Sequence, residues 1–278
     1  MGSSMLAHCI KAGYKAPIVF NRSPEKMAPL LALGAVAASS PEEVAQKSDV
    51  IVSIIGYPKD VREVILGKVV PNMKPGSISV DMTTSEPSLA QEIAKAAAKR
   101  GCSAVDAPVS GGDLGAKNAA LSIMIGGDKA VVDSLTPLFS CMGKNIVHLG
   151  AAGSGQHTKM ANQILICTTM VGLVEGLLYA QKAGLDAETV VKAISQGAAG
   201  SKSLDLYAPR IFAGNYNPGF MVDHFLKDLE IALAEAERMQ LQLPGVVLAH
   251  QLYKKTQALG RGKSGTQALF ILSGTKAG

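Results

Sequence analysis

The feature that most constrains the fold is an alternation of short apolar runs with helical patterns between residues 15 and 150. Such runs between amphipathic stretches are typical of parallel strands covered by helices on both faces. Strands are predicted at Pro17–Phe20, Val50–Ile55, Ile78–Met82, Ala104–Val109, Leu121–Ile125 and Ile146–Leu149. Helices are predicted at Met5–Ala12, Glu25–Leu33, Pro41–Lys47, Asp60–Leu66, Pro87–Lys99 and Lys129–Met142. The pattern predicts an α/β, Rossmann-type doubly wound sheet.

The strand pattern stops after Gly150, and the remaining chain is helical. A long helix is predicted after Gly153-Ser154-Gly155, reaching about Ala183. Because its face with Ala161 and Leu165 is also small or apolar, we expect this helix to be buried nearly all round. Further helices are predicted at Thr189–Ile194 with Asp186 as N-cap, Leu226–Met239 and Pro244–Leu259. We therefore predict a Rossmann-like domain over residues 1–151 and an all-α domain over 152–278.

Composition and charge exclude several classes of function. The net charge of +5 is spread without a basic run, so we expect no nucleic-acid partner. The longest charge-free apolar segment, Met160–Val174, is shorter than the roughly 18 residues of a membrane span, so we expect no membrane partner. The four cysteines lack CxxC spacing and are predicted to be reduced, buried thiols, and no histidine spacing suggests a metal site.

The chain start bears on cofactor binding. A dinucleotide-binding fold opens with a strand, a G-x-G-x-x-G turn and a helix that holds the pyrophosphate. Only the last glycine, Gly2, is present in the sequence as given. We therefore expect a Rossmann sheet that is N-terminally truncated by its first strand. The alternative for Gly2 is an ordinary chain start.

The segment Asn21-Arg22-Ser23 follows the first predicted strand, where the ribose contact of such folds is made. It offers no carboxylate for a free 2′-hydroxyl, and the Arg22 guanidinium and Ser23 hydroxyl suit a 2′-phosphate. This predicts NADP as cofactor, with NAD possible. The alternative is a solvated surface arginine.

Three later segments carry a family resemblance. They are Asp106–Gly112 (DAPVSGG), Gly153–Asn162 (GSGQHTKMAN) and Lys227-Asp228-Leu229 preceded by Phe220. With Asp81–Thr84 (DMTT), in this order, the chain resembles the β-hydroxyacid dehydrogenases, the 3-hydroxyisobutyrate dehydrogenase family. Within this family the chain resembles the plant-type members and the glyoxylate/succinic semialdehyde reductases, and the resemblance also makes it 6-phosphogluconate dehydrogenase-like.

The resemblance implies that Lys159 is the catalytic acid/base. A lysine near a helix start, where the dipole disfavours a second positive charge, suits proton transfer to a developing alkoxide. Asn162 lies one helical turn further on and is expected to orient Lys159 or bind the substrate hydroxyl. The alternative for Lys159 is a surface lysine.

Other residues are assigned to substrate and cofactor. Ser110, Gly111 and Gly112 are expected to form a nest for the substrate carboxylate, with a plain glycine turn as the alternative. Thr84 is implied to contact the nicotinamide ribose or the substrate. Gly56, with Tyr57 and Pro58, should form a wall of the cofactor groove or a simple turn.

In the helical domain, the resemblance implies that Lys227 reaches toward cofactor or substrate and that Asp228 offsets its charge or orients it. The alternative is an ordinary charged pair. Phe220 covers the substrate pocket or packs in the core.

The expected activity is interconversion of a short β-hydroxy acid and its semialdehyde. The alternative is a non-catalytic binding or oligomerisation module, a truncated or degenerate member of the same family. Apolar residues of the helical domain such as Leu173, Leu177, Ile231 and Leu248 predict a homodimer or homotetramer. The location is expected to be cytoplasmic or organellar, in a mitochondrion or plastid.

Overall fold

A computed structural model describes residues 1–274, and the chain divides into two compact units, Met1–Lys159 and Met160–Gly278. The helix that joins them, Ser154–Lys182, belongs to both. The predicted division of function between residues 151 and 152 stays a prediction. The strands of the first unit are β1 Ile18–Val19, β2 Val36–Ala37, β3 Val50–Ser53, β4 Ile78–Asp81, β5 Ser103–Asp106, β6 Val109–Ser110, β7 Leu121–Gly126 and β8 Gly143–Gly150.

The helices of the first unit alternate with these strands. They are α1 Gly2–Lys11, α2 Ala28–Leu31, α3 Pro41–Lys47, α4 Pro58–Val61, α5 Val70–Asn72, α6 Pro87–Ala98, α7 Gly112–Lys117 and α8 Lys129–Ser140, followed by the start of α9, Ser154–Lys182. A 3₁₀ turn at Pro24–Met27 precedes α2, and a π-helical stretch at Arg62–Val69 connects α4 to α5. The predicted α/β alternation is confirmed.

The sheet is mixed rather than purely parallel. Strands β3, β4 and β5 are parallel neighbours, β7 pairs antiparallel with β5 and β6, and β8 pairs parallel with β7. The continuous run predicted at Ala104–Val109 is two strands, because Ala107 and Pro108 separate β5 from the short β6. Both β5 and β6 run antiparallel to β7 in one register, with Asp106 opposite Gly126 and Val109 opposite Ile123, so the chain keeps its direction through the break.

Strands β1 and β2 form a separate two-stranded parallel sheet. In the doubly wound order 3-2-1-4-5-6 the first strand lies between the second and fourth, which correspond here to β1 and β3. Within residues 1–274, no strand pairs with the outer edge of β3 or with the edge of β1 that faces away from β2.

Alternating strand residues supply two cores on opposite faces of the sheet, as the period of a strand requires. One core contains Val80 and Val105 with the buried faces of α1, α7 and α8. The other contains Ile51 with the π-helical stretch and α6. Helices on both faces explain the continuous apolar strands and confirm the doubly wound class.

The cysteines are free thiols among the described residues, as expected, but they are not all isolated. Cys9, Cys102 and Cys167 are buried and Cys141 is half-buried. Burial and the neighbouring Cys141 raise the pKa of the Cys9 thiol to about 12. Cys9 and Cys141, which are 132 residues apart in the sequence, therefore interact in the folded unit, and Cys141 is less buried than predicted.

The second unit is helical throughout its described part. After α9 it contains α10 Ala187–Ile194, α11 Lys202–Phe212, α12 Val222–Arg238, α13 Pro244–Thr256 and α14 Leu269–Gly274, with a π-helical stretch at Gln257–Arg261 and a 3₁₀ turn at Thr266–Ala268. Asp186 caps α10 as predicted, since its carboxylate accepts from the Thr189 amide at 2.8 Å. A single core joins α9, α11, α12 and α13 around Phe225 and Tyr253, whose rings meet edge to face at 5.0 Å.

The expectation that α9 is buried nearly all round is wrong in this chain. Met170, Val174 and Leu177 are buried, but Leu165 is 68 % exposed and Tyr179 is 76 % exposed. Small residues on the outer face made the helix look symmetric although only one face packs on the core. By length and composition, with a mean hydropathy of 1.6 in its most apolar window, α9 could also cross a membrane, a property that it shares with core helices of soluble proteins.

The apolar residues that suggested oligomerisation are mostly internal. Leu173, Leu177 and Ile231 are buried within the second unit, whereas Leu248 is 48 % exposed. Oligomerisation stays a prediction, and its apolar surface would be formed by exposed residues such as Leu165 and Tyr179.

Candidate active site

The carboxyl ends of β3 and β4 are joined by side-chain hydrogen bonds. The Ile55 amide donates to Thr83 Oγ1 at 2.8 Å, and Ser53 Oγ donates to Asp81 Oδ1 at 2.9 Å. Burial raises the pKa of Asp81 to about 6, against the hydrogen bonds from Thr83 and Ser53 that lower it. Thr84, predicted to contact nicotinamide ribose or substrate, follows directly and is half-buried.

The start of α9 is bound to the same edge of the sheet. Gln156 is fully buried, and its amide accepts from Ser85 N at 2.9 Å and donates to Thr83 O at 2.7 Å. Asp106, the last residue of β5, accepts from Gly153 N at 2.7 Å and from Gln156 N at 2.9 Å. Two adjacent parallel strands thus fix the first turn of this helix.

Lys159 lies one turn further along α9 and is 6 % exposed. Its Nζ donates to the carbonyl O of Val109 in β6 at 2.9 Å. The alternative of a surface lysine is therefore wrong. Lys159 is thus a buried amine held at Val109, directly before the Ser110–Gly112 segment.

Ser110, Gly111 and Gly112 connect β6 to α7. Gly111 has φ of 127° and Gly112 of 60°, a left-handed conformation that favours glycine. Ser110 is half-buried. The segment follows Val109 directly, so the Lys159 amine and the three predicted carboxylate-binding residues lie together.

Arg22 and Tyr57, two of the residues predicted to bind the cofactor, both contact Asp60. Arg22 Nη1 lies 3.5 Å from Asp60 Oδ1 and its side chain is 74 % exposed, while the Tyr57 amide donates to Asp60 Oδ2 at 3.2 Å. Asn21 Oδ1 accepts from the Ser23 amide at 2.9 Å, which fixes the turn. Pro58 opens α4 behind Tyr57.

Gly2 has a packing role that suits the last glycine of a dinucleotide motif. A Cβ at this position would lie 2.8 Å from Ile54 Cγ2, so only glycine lets the start of α1 approach the end of β3 so closely. Together with the accessible Arg22 guanidinium, this close helix–strand packing means that the residues present fit a nicotinamide dinucleotide.

In the second unit, a buried polar chain connects α9 with α12. Asn162 Nδ2 donates to Gln163 Oε1 at 2.8 Å, and Gln163 Nε2 donates to Asp228 Oδ2 at 2.6 Å. Lys227 Nζ lies 2.9 Å from Asp228 Oδ1, and both residues are buried. The predicted Asn162, Lys227 and Asp228 are therefore brought together, and an ordinary surface ion pair is excluded.

Phe220 is half-buried against the core of the second unit. Its ring stacks on His224 at 6.5 Å and meets Phe225 edge to face at 5.8 Å. Burial and the nearby Lys227 ammonium lower the pKa of His224. Phe220 thus packs in part against the core, which was the alternative to a pocket cover.

Sequence reasoning missed several residues of these networks. Gln156 and Asp106 stood inside the motifs that identified the family, and Gln163 follows Asn162 directly, so the motifs themselves carried a signal. No sequence signal pointed to Asp60 or His224, because their contacts form only when the chain folds. In the part of the chain that the structure covers, no group of three or more His, Cys, Asp or Glu side chains is arranged to hold a metal ion.

A Rossmann-type unit with these residues, followed by a helical unit, defines an oxidoreductase that uses a nicotinamide dinucleotide. Residues 1–150 match the family described as the NAD binding domain of 6-phosphogluconate dehydrogenase. Residues 153–272 match the family described as NAD-binding of NADP-dependent 3-hydroxyisobutyrate dehydrogenase.

Relatives align over nearly the whole chain. A probable 3-hydroxyisobutyrate dehydrogenase-like 1, mitochondrial, of Arabidopsis thaliana is 56 % identical over 98 % of this chain and 81 % of its own. The 2-hydroxy-3-oxopropionate reductase of Escherichia coli (strain K12) is 35 % identical over 97 % of this chain and 92 % of its own. The solved structure of Mycobacterium tuberculosis 3-hydroxyisobutyrate dehydrogenase with L-serine superposes with a TM-score of 0.90 at 25 % identity, over 99 % and 96 % of the two chains.

The chain belongs to the β-hydroxyacid dehydrogenase family and is an NAD(P)-dependent oxidoreductase. The predicted family and activity class are confirmed.

Proposed function

We propose that this protein is an NADP-preferring enzyme that interconverts a short β-hydroxy acid and its semialdehyde, with Lys159 as acid/base. The candidate reactions are 3-hydroxyisobutyrate oxidation and reduction of glyoxylate or succinic semialdehyde. The observation that carries the proposal is the buried Lys159 amine, which lies 2.9 Å from the carbonyl O of Val109. Val109 directly precedes the Ser110 turn, which is formed by Ser110, Gly111 and Gly112.

In the reductive direction, Lys159 Nζ gives a proton to the alkoxide that forms as the carbonyl carbon is reduced. In the oxidative direction the same nitrogen takes the hydroxyl proton. When bound, the nicotinamide ring supplies or accepts the hydride. The Val109 carbonyl accepts a hydrogen bond from Nζ and so holds the amine in place for either transfer.

The substrate carboxylate is proposed to bind at Ser110, Gly111 and Gly112. Two glycines with positive φ can turn successive backbone N–H groups toward an anion, and the Ser110 hydroxyl adds a donor. A short hydroxy acid suits this site because its carboxylate and the carbon that carries its hydroxyl group are only a few bonds apart, as the Ser110 turn and the Lys159 amine are close together.

Substrate contacts from the second unit are proposed for Asn162, Phe220 and Asp228. The Asn162 amide is half-buried and held by Gln163, so it is oriented to bind a hydroxyl. Asp228 neutralises Lys227 and fixes its ammonium.

The cofactor is proposed to be held by Gly2, Asn21, Arg22, Ser23, Tyr57, Pro58, Thr84 and Lys227. Arg22 supports NADP over NAD because its exposed guanidinium can pair with a 2′-phosphate. Asp60 competes for that charge, but its contact with Arg22 is long, at 3.5 Å, and the Arg22 side chain is exposed, so the guanidinium can exchange this contact for a phosphate.

We further propose that the protein forms a homodimer or homotetramer. Its proposed location is the cytoplasm, a mitochondrion or a plastid. Residues 1–151 are proposed to bind the cofactor, and residues 152–278 to serve substrate binding and assembly. The mitochondrial name of the plant relative supports an organelle. The exposed Leu165 and Tyr179 support an assembly that covers this face of α9.

The test is steady-state turnover of a panel of short hydroxy acids and semialdehydes with NADP(H) and NAD(H). We expect NADPH with a semialdehyde acid to give the highest kcat/KM, and Arg22→Ala to reduce this preference. A clear NADH preference in the wild type contradicts the Arg22 argument. If no compound in the panel turns over while the cofactor binds, the proposed substrate class is contradicted.

A further inference from the structure

Asp106 is a buried carboxylate that the proposed chemistry does not use. It ends β5 and is 3 % exposed. Oδ1 accepts from Gly153 N at 2.7 Å and Oδ2 accepts from Gln156 N at 2.9 Å. Burial raises the pKa of Asp106, and hydrogen bonds from the amides at the start of α9 oppose that rise.

The first N–H groups of any helix have no partner within the helix. Here a carboxylate from a different element satisfies two amides at the start of α9, and this also suits the positive end of the helix dipole. The cap therefore fixes the helix to the sheet and not only to its own preceding loop.

The lysine is held by β6, which follows β5 directly in the chain. Val109, whose carbonyl accepts from Lys159 Nζ at 2.9 Å, lies three residues after Asp106, and Lys159 lies three residues after Gln156. Asp106 and Val109 thus hold the helix start and the amine one turn later. A shift of either contact moves Nζ relative to the Ser110 turn.

Two glycines leave room for this carboxylate. A Cβ at Gly126 would lie 2.5 Å from Asp106 Oδ1, and a Cβ at Gly155 would lie 2.9 Å from Oδ2. Both approaches are closer than a side chain permits. The strand β7 and the helix α9 can close on the carboxylate only because these positions are glycine.

We infer that Asp106 is a positioning residue for Lys159: by capping α9 from the end of β5, it sets the distance of the Lys159 amine from the Ser110 turn. The inference rests on the proposed role of Lys159. Misplacement by about 1 Å can reduce the rate of a reaction about 100-fold, so loss of this cap is expected to affect kcat rather than cofactor affinity.

The test compares Asp106→Asn with Asp128→Asn in the full chain. Asp128 also caps a helix of the first unit, since Oδ1 accepts from Ala130 N at 3.0 Å and Val131 N at 3.1 Å, but its helix α8 carries no proposed catalytic residue. We expect Asp106→Asn to lower kcat at least tenfold with little change in KM or NADPH binding. Asp128→Asn should leave kcat within twofold.

A double-variant cycle separates positioning from general damage. In a Lys159→Met background, Asp106→Asn should cost no more than twofold, because its effect passes through the lysine. An equal loss in both backgrounds, or a kcat within twofold of wild type for folded Asp106→Asn, overturns the inference. If Lys159→Met itself keeps full activity, the proposed function fails instead.

Asp106→Ser provides the second variant if Asp106→Asn does not fold. Serine keeps one acceptor and places no extra N–H against the amides of Gly153 and Gln156. We expect Asp106→Ser to lower kcat by the same tenfold, and only in the enzyme that retains Lys159.

Discussion

The close approach of α9 to the sheet at Gly155 can be tested by a single methyl group. A Cβ there would lie 2.5 Å from Met124 O, 2.8 Å from Asp106 O and 2.9 Å from Asp106 Oδ2. Two of these atoms are backbone and cannot rotate away. Gly155→Ala should therefore displace the first turn of α9, although alanine is the better helix former.

The expected change in the free energy of unfolding for Gly155→Ala is the sum of two opposing effects. Overpacking costs up to about 3 kcal/mol, whereas replacing a helical glycine by alanine gains about 1 kcal/mol. The net loss of about 2 kcal/mol corresponds to a fall in Tm of about 4–8 °C for a unit of this size. A lower kcat should accompany it, because Lys159 lies one turn further along the same helix.

The matched control is Gly172→Ala on the same helix. Apart from the backbone of its own helix, no atom of residues 1–274 lies within 4 Å of a Cβ at Gly172, so alanine there meets no steric barrier within the described chain and should not lower stability. Thermal unfolding followed by far-UV circular dichroism measures both variants. If Gly155→Ala unfolds at or above the wild-type temperature, the steric reasoning is refuted.

Three further results are expected. Asp60→Asn, which removes the carboxylate 3.5 Å from the Arg22 guanidinium, should tighten NADPH binding more than NADH binding in a titration followed by fluorescence, and equal effects on both would count against Arg22 as the phosphate ligand. Ser40→Ala removes the cap on the Glu43 amide and should lower the free energy of unfolding by about 1 kcal/mol in urea; an unchanged midpoint would show that this cap is not stabilising. The folded-state pKa of Asp81 is raised to about 6, so the folded state binds a proton more readily than the unfolded chain and Asp81 contributes stability that is lost as pH rises from about 4 to about 6. Because Asp81 Oδ1 accepts from the Ser53 hydroxyl and from the Thr83 amide, Asp81→Asn can keep these two hydrogen bonds, and its stability relative to wild type should rise across that window; a flat difference would contradict the burial argument.

Elements with local signals could be predicted closely. Helix α3 was predicted at Pro41–Lys47 and found there, because Ser40, Pro41 and Glu43 form a local start signal that needs no tertiary contact. The two-residue strands Ile18–Val19 and Val36–Ala37 show where prediction from local signals fails. The second was missed, since a strand of two residues exists only through its pairing with the first.

The outer face of α9 shows a different limit. Apolarity of Leu165 and its neighbours predicted burial, but composition cannot say whether a partner for that face lies within the chain. The side chain of Leu165 is 68 % exposed because the core of the second unit packs only on the opposite face.

The candidate site could be predicted where motifs carry it. Lys159, Asn162 and the Ser110 turn followed from segments of the sequence, and their burial and contacts were consistent with a site. The role of Asp60 could not be predicted, because Asp60 meets Arg22 only after folding. Gln163 stands beside a motif residue, but its contact with Asp228, 65 residues further along the chain, could not be predicted either.

The most direct test of the central claim is a single-turnover measurement of nicotinamide absorbance with wild type, Lys159→Met and Lys129→Met, each saturated with NADPH before a semialdehyde acid is mixed in. Methionine keeps the length of the buried side chain and removes the amine, while Lys129 pairs with Asp133 on the surface and serves as control. Loss of an acid/base should slow the Lys159→Met reaction about 100- to 10,000-fold, with NADPH affinity and the Lys129→Met rate unchanged. A Lys159→Met rate within threefold of wild type would contradict the account.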